Sequence, residues 1–154
     1  MSTLKKIIVS FSLLLCFFFS YRIGYFNGTN NQPKQIVQEE IFLDANKLFE
    51  LSNEWRISQG LKPYIKLELL CDSAKIRNIE VQTNWSHEGF SAEKICGKGW
   101  CQVGENLAKD LGSEKNTFSA WLTSSTHLEN LEYNFKYSCV STSGEYAVQH
   151  FGNF

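Results

Sequence analysis

The chain is poor in the residues that most catalytic and metal sites need. Its 154 residues include only three histidines, His87, His127 and His150. Four of its five cysteines fall after residue 70, and none forms a Cys-x-x-Cys pair, which argues against a zinc site made of thiolates alone. No serine or cysteine stands in a recognisable nucleophile motif beside a base. There is no internal repeat and no low-complexity segment. Positive charge is also lacking: 15 basic residues face 16 acidic ones, and Lys5, Lys6 and Arg22 all lie in the first 26 positions, where there is no acid. The remainder carries a net charge of about −4, which gives no basic face for nucleic acid or for anionic lipid.

Hydrophobic residues, in contrast, make up 43% of the chain and aromatics 14%, enough for a packed core. They begin at the N-terminus. Lys5 and Lys6 precede Ile7–Tyr21, a run without charge, in the pattern of an export signal. Phe17-Phe18-Phe19-Ser20-Tyr21-Arg22 offers no small-residue cleavage site, so residues 1–26 read as a signal-anchor in preference to a cleaved signal peptide. Residues 27–41 are polar, with Gly28 and Pro33, and read as a linker. Residues 42–154 are then expected outside the cytoplasm, tethered to the membrane or secreted.

Export gives the cysteines a meaning. Cys71, Cys96, Cys101 and Cys139 are an even set in an oxidising compartment, where three connectivities are open. Cys96 and Cys101 bracket the glycine-bearing Gly97-Lys98-Gly99-Trp100, which favours a local bridge and leaves Cys71 for Cys139.

Apolar spacing predicts helices over Ile41–Ser58, ended by Gly60, and over Leu67–Thr83, with a polar face of Glu68, Asp72, Lys75 and Asn78. Trp85–Gln102 reads as loop, a short helix is expected after Gly104, and another over Lys115–Ser124. The period then changes. Tyr137–Ser141 and Tyr146–Phe151 alternate around Ser143-Gly144-Glu145 and predict a β-hairpin. Helices first and strands last give an α+β class, with helices packed on an antiparallel sheet.

The ordered motifs resemble the CAP superfamily of cysteine-rich secretory, venom-allergen and pathogenesis-related proteins, in its bacterial SCP form. The series runs Asn53, Arg56, Gly60-Leu61; Leu70 and Ala74; Ser86-His87; Gly104-Glu105-Asn106-Leu107-Ala108; Trp121-Leu122 with Ser124; His127 with Asn130; and Tyr146-Ala-Val-Gln-His-Phe151. The resemblance implies an α-β-α sandwich and a shallow cavity holding His87, Glu105 and His127, supported by Asn106, Trp121 and Asn130. Ser125-Thr126 and Leu128 depart from the family's Pro-Gly and Arg. Ser124 sits where animal and plant members place a second glutamate, so three of four cavity groups are present.

Two imidazoles and a carboxylate are also an open three-ligand set for zinc, or a base with its orienting acid. The structural alternative makes Glu105 a helix-start carboxylate and His127 a loop tie. Trp55 and Trp121 read as core, Trp85 and Trp100 as partly exposed, and His150 as facing either layer. The resemblance implies a non-enzymatic, extracytoplasmic binding module for a lipid, peptide or cell-envelope component, with no required cofactor. The alternative is a zinc-dependent, peptidase-like hydrolase.

Overall fold

The computed structural model describes residues 41–154. The membrane segment expected at 1–26 and the linker before residue 41 lie outside the described residues. Among the described residues no helix is long and apolar enough to cross a membrane.

Helix α1 (Ala45–Ser58) opens on Asp44, whose carboxylate accepts from the backbone amides of Asn46 and Lys47, a side-chain cap. It buries Leu48, Phe49, Ser52 and Arg56, and the chain leaves it through Gly60 at φ +74°. The Asn53 and Arg56 positions hold this exit in place. Asn53 bonds both the N–H and the C=O of Tyr64. Arg56, 1% exposed, donates to the carbonyls of Lys62, Leu131 and Tyr133 and to the Tyr64 hydroxyl. Burial pushes the Tyr64 hydroxyl far above its ordinary value, against the opposing pull of Arg56.

Strand β1 (Ile65–Lys66) leads into helix α2 (Glu68–Thr83), whose buried residues Leu70, Ala74, Arg77, Asn78 and Val81 follow a helical stripe. Two of its faces differ from the sequence reading. Asn78 is buried, because its amide donates to the carbonyls of Ser141 and Tyr146 on the sheet, whereas Ile76 and Ile79 are exposed. The 92–96 part of the expected loop forms a short helix, α3 (Ala92–Cys96), capped by Ser91.

Strand β2 (Gln102–Ala108) replaces the short helix expected after Gly104. Its seven residues pair with β4 (Tyr146–Asn153) from Gln102↔Asn153 to Ala108↔Ala147, and this long-range ladder overrides the weak local preference. Glu105 is therefore a mid-strand residue, and the helix-start reading of it fails. Helix α4 (Glu114–Thr123) matches the expected helix, and α5 (Ser125–Glu132) follows it, so His127 lies on a helix and not on a loop. Strand β3 (Tyr137–Ser143) and β4 form the expected hairpin, turning at Gly144 with φ +55°.

The sheet order is β1-β3-β4-β2, antiparallel except for the two-residue parallel pairing of β1 with β3. Period-2 alternation divides it into two faces. Helix α2 covers one with Leu70, Ala74 and Val81 against Leu107, Cys139 and Val148. Helices α1, α4 and α5 cover the other, with Leu48, Phe118, Trp121 and Leu131 against Val140, Ala147 and Phe151. This is the expected α-β-α sandwich. Both disulfides form as read: Cys71–Cys139 ties α2 to β3, and Cys96–Cys101 closes the local loop. Trp121 is fully buried, Trp55 packs at the core margin, and Trp85 and Trp100 are exposed.

Candidate functional site

The site forms on edge strand β2, where Glu105 is flanked by residues from three other elements. Glu105 faces the α2 layer and stands opposite His150 of β4, which in turn stands opposite Cys139 of β3. The next residue, Asn106, points into the other layer. Its amide donates to the His127 carbonyl at 3.1 Å, and Asn130 donates to the Asn106 side chain and to the Glu105 carbonyl. Gly104 makes room for this: a Cβ there would lie 2.6 Å from the Asn130 side-chain oxygen. Trp121 supports the same strand from beneath, its indole N–H donating to the Leu107 carbonyl at 3.1 Å. The supporting residues Asn106, Trp121 and Asn130 thus fix where β2 and α5 meet.

The Glu105 side chain is 1% exposed, and three donors converge on it. Arg77 Nε lies 2.8 Å from Oε2, His150 Nε2 3.2 Å from Oε2, and His87 Nδ1 2.8 Å from Oε1. Burial alone would raise this carboxyl. The hydrogen bonds from His150 and Arg77, with the guanidinium charge, outweigh it and hold the group below its ordinary value. Glu105 is thus an ionised acceptor, which fixes the donors. His87 gives its Nδ1–H to Oε1. His150 gives its Nε2–H, and its Nδ1 lies 2.7 Å from the Ser73 hydroxyl, which also donates to the Leu70 carbonyl at 3.1 Å. Arg77 also donates to Glu80 at 3.1 Å and to the Ser86 carbonyl, tying the loop that carries His87.

His87 and His127 approach from opposite layers, with ring centroids 6.2 Å apart. The His87 side chain is 58% exposed and His127 is half-buried, so the pair opens to solvent. Burial, then the neighbouring His87, lowers the His127 pKa, so its ring is neutral at pH 7.

The structure therefore gathers His87, Glu105 and His127 in one place, but with unequal roles. Glu105 lies behind His87, its oxygens committed to Arg77, His150 and His87. Among the described residues no group of three or more His, Cys, Asp or Glu side chains is arranged to hold a metal ion. Arg77, His150 and Ser73 belong to the cluster and were not predicted as site residues. The signal for Arg77 was a charged residue on the apolar stripe of α2, where a lone cation needs a buried partner.

No protein-family profile matches the sequence. The uncharacterized protein YkwD of Bacillus subtilis is 29% identical over 136 residues, which cover 81% of this chain and 51% of that protein. The chain thus spans about half the length of the curated relative it matches. Three solved structures share the fold. An extracellular SCP-domain protein of Bacillus anthracis superposes with a TM-score of 0.61 at 21% identity, over 70% of this chain and 39% of that one. A cysteine-rich secretory protein of Staphylococcus aureus gives 0.62 at 18%, over 71% and 38%. An outer surface protein of Borrelia burgdorferi gives 0.62 at 20%, over 73% and 96%. The domain has the fold of the CAP superfamily, the SCP domain.

Proposed function

We propose that this is an extracytoplasmic binding module, held at the membrane by its N-terminal segment, whose ligand is a lipid, a peptide or a cell-envelope component met at the His87–His127 cleft. One observation carries the reading. Glu105 is buried and fully engaged, while the two imidazoles lie with ring centroids 6.2 Å apart, His87 exposed and His127 half-buried. Such a surface recognises polar groups by hydrogen bonding. The structural neighbours, an extracellular, a secretory and an outer surface protein, support a location outside the cytoplasm.

A second reading has its own support. The two imidazoles, one neutral and one oriented by Glu105, are suited to zinc, with Glu105 as the partner that fixes the ring orientation of His87. Zinc so held would activate water for hydrolysis. His87 and His127 supply two ligands, one fewer than catalytic zinc sites use.

The test is an NMR titration of the full-length chain with envelope glycan fragments, peptides and lipid vesicles in turn, beside calorimetry with zinc. The expected result is saturable perturbation of the His87 and His127 ring signals by one ligand class, lost in His87→Ala and in His127→Ala. Zinc-dependent peptide cleavage that disappears in Glu105→Gln would replace the binding reading with the hydrolytic one.

A further inference from the structure

A second constellation lies on the α2 side of Glu105, away from the cleft. Ser73 Oγ, His150 and Glu105 form an unbroken chain: 2.7 Å from the hydroxyl to Nδ1, then 3.2 Å from Nε2 to the carboxylate. The hydrogen directions follow from chemistry. An ionised Glu105 only accepts, so Nε2 carries a hydrogen; in the neutral ring Nδ1 then presents a lone pair toward the Ser73 hydroxyl. The Leu70 carbonyl, 3.1 Å away, is the competing acceptor for the hydroxyl hydrogen and the longer contact. This is the serine–histidine–acid arrangement, recognised by geometry and role and not by chain order. The two ring nitrogens are exchanged relative to the usual arrangement, which leaves the proton path intact.

Three features make it more than a polar network. His150 is 2% exposed and packed edgewise under Phe90, with ring centroids 5.0 Å apart, so its orientation is fixed. Ser73 is half-buried and, with His150, lines a pocket of about 70 Å³ between α2 and the segment carrying α3. The same pocket is lined by Ile76, Ile95, Arg77, Glu80 and Lys94, whose ammonium is bonded to the Gly89 carbonyl at 2.8 Å and lies 3.7 Å from Glu80.

We infer that Ser73, His150 and Glu105 are a catalytic triad for hydrolysis of small acyl esters. The Ser73 oxygen attacks the ester carbonyl carbon while its proton passes to His150 Nδ1. Glu105 holds the resulting imidazolium, and Lys94 faces the oxyanion. The carbon–oxygen bond to the leaving alcohol breaks, and His150 returns the proton to that alcohol. Water, deprotonated by His150, then cleaves the acetyl-serine ester and regenerates Ser73. The small size of the pocket favours a short acyl group such as acetyl over a long chain.

The test is p-nitrophenyl acetate with the full-length chain, followed by acid quench and peptide mapping. The expected result is p-nitrophenol release with an acetyl group on the peptide carrying Ser73, and a much slower reaction with p-nitrophenyl octanoate. Ser73→Ala deletes one half-buried hydroxyl; with its melting transition retained, it should lose the acetyl adduct and react about 100-fold or more slowly. Acetyl groups on lysines alone, no adduct at all, or an unchanged rate in Ser73→Ala would overturn the inference. Neither readout passes through His127, so such a failure leaves the cleft reading untouched.

Discussion

The two oxygens of Glu105 serve different regions of the molecule. Oε2 meets Arg77 and His150, both buried, and through them Ser73 and helix α2. Oε1 meets His87, which stands in solvent on the loop after that helix. Arg77 and His150 are bound into packing and cannot change without cost to the fold. The outer arm rests on the same carboxylate yet is free to change. A buried, ionised residue that is satisfied from the inside can hold an exposed side chain in one tautomer without that side chain having to support the core.

The largest expected effect tests the inner arm. Arg77→Met removes the one permanent cation beside a carboxylate that is 1% exposed. Breaking a buried pair by deleting one partner costs about 3–5 kcal/mol, and urea unfolding at pH 7 should show it. A loss below about 1 kcal/mol would mean that Glu105 is solvated and that the two arms are equivalent.

The disulfides divide along the same line. Cys71–Cys139 joins α2 to β3 beside His150 and spans 68 residues, so its removal should cost about 4 kcal/mol. Cys96–Cys101 spans 5 residues and should cost about 2 kcal/mol. Paired alanine variants, compared by denaturant midpoint, check the order. If the short bridge proved the costlier, the loop around Trp100 would be organising the inner arm, and the division drawn here would fail.

What the sequence reveals follows this division too. The outer arm was legible, because His87 and His127 sit in short motifs whose order can be read along the chain. So were the helical stripes through Leu48 and Leu70 and the hairpin around Gly144, since each is a local pattern of period 3.6 or 2. Strand β2 was not. Gly104, Glu105, Asn106 and Ala108 are poor strand formers, and only the ladder to β4, 45 residues away at Glu105↔His150, makes them one. The inner arm was hidden for the same reason. Arg77, Ser73 and His150 become partners only through sheet register, and Asn78 resembles a solvated residue until Ser141 and Tyr146 are brought over it.

The smallest effects belong to the outer arm, and pH separates them from the inner one. Glu105 is held below its ordinary value, so its contribution is present above about pH 4.5 and is lost as pH falls through the lower folded value. His127 is also lowered, but as a base its proton favours the unfolded chain. Its neutral form therefore gives full stability above about pH 6.5, and stability declines as pH drops below that. The slope that sets in below about pH 6.5 should come from His127, and the one below about pH 4.5 from Glu105. In urea titrations with EDTA present, His127→Gln should flatten the upper window and leave the lower one unchanged. His87→Ala takes the donor from Glu105 Oε1 but lets water replace it, so it should cost about 1 kcal/mol at pH 7. A cost near that of Arg77→Met would place His87 in the core network. The cleft would then be a structural joint, and the case for reading it as a binding surface would be lost.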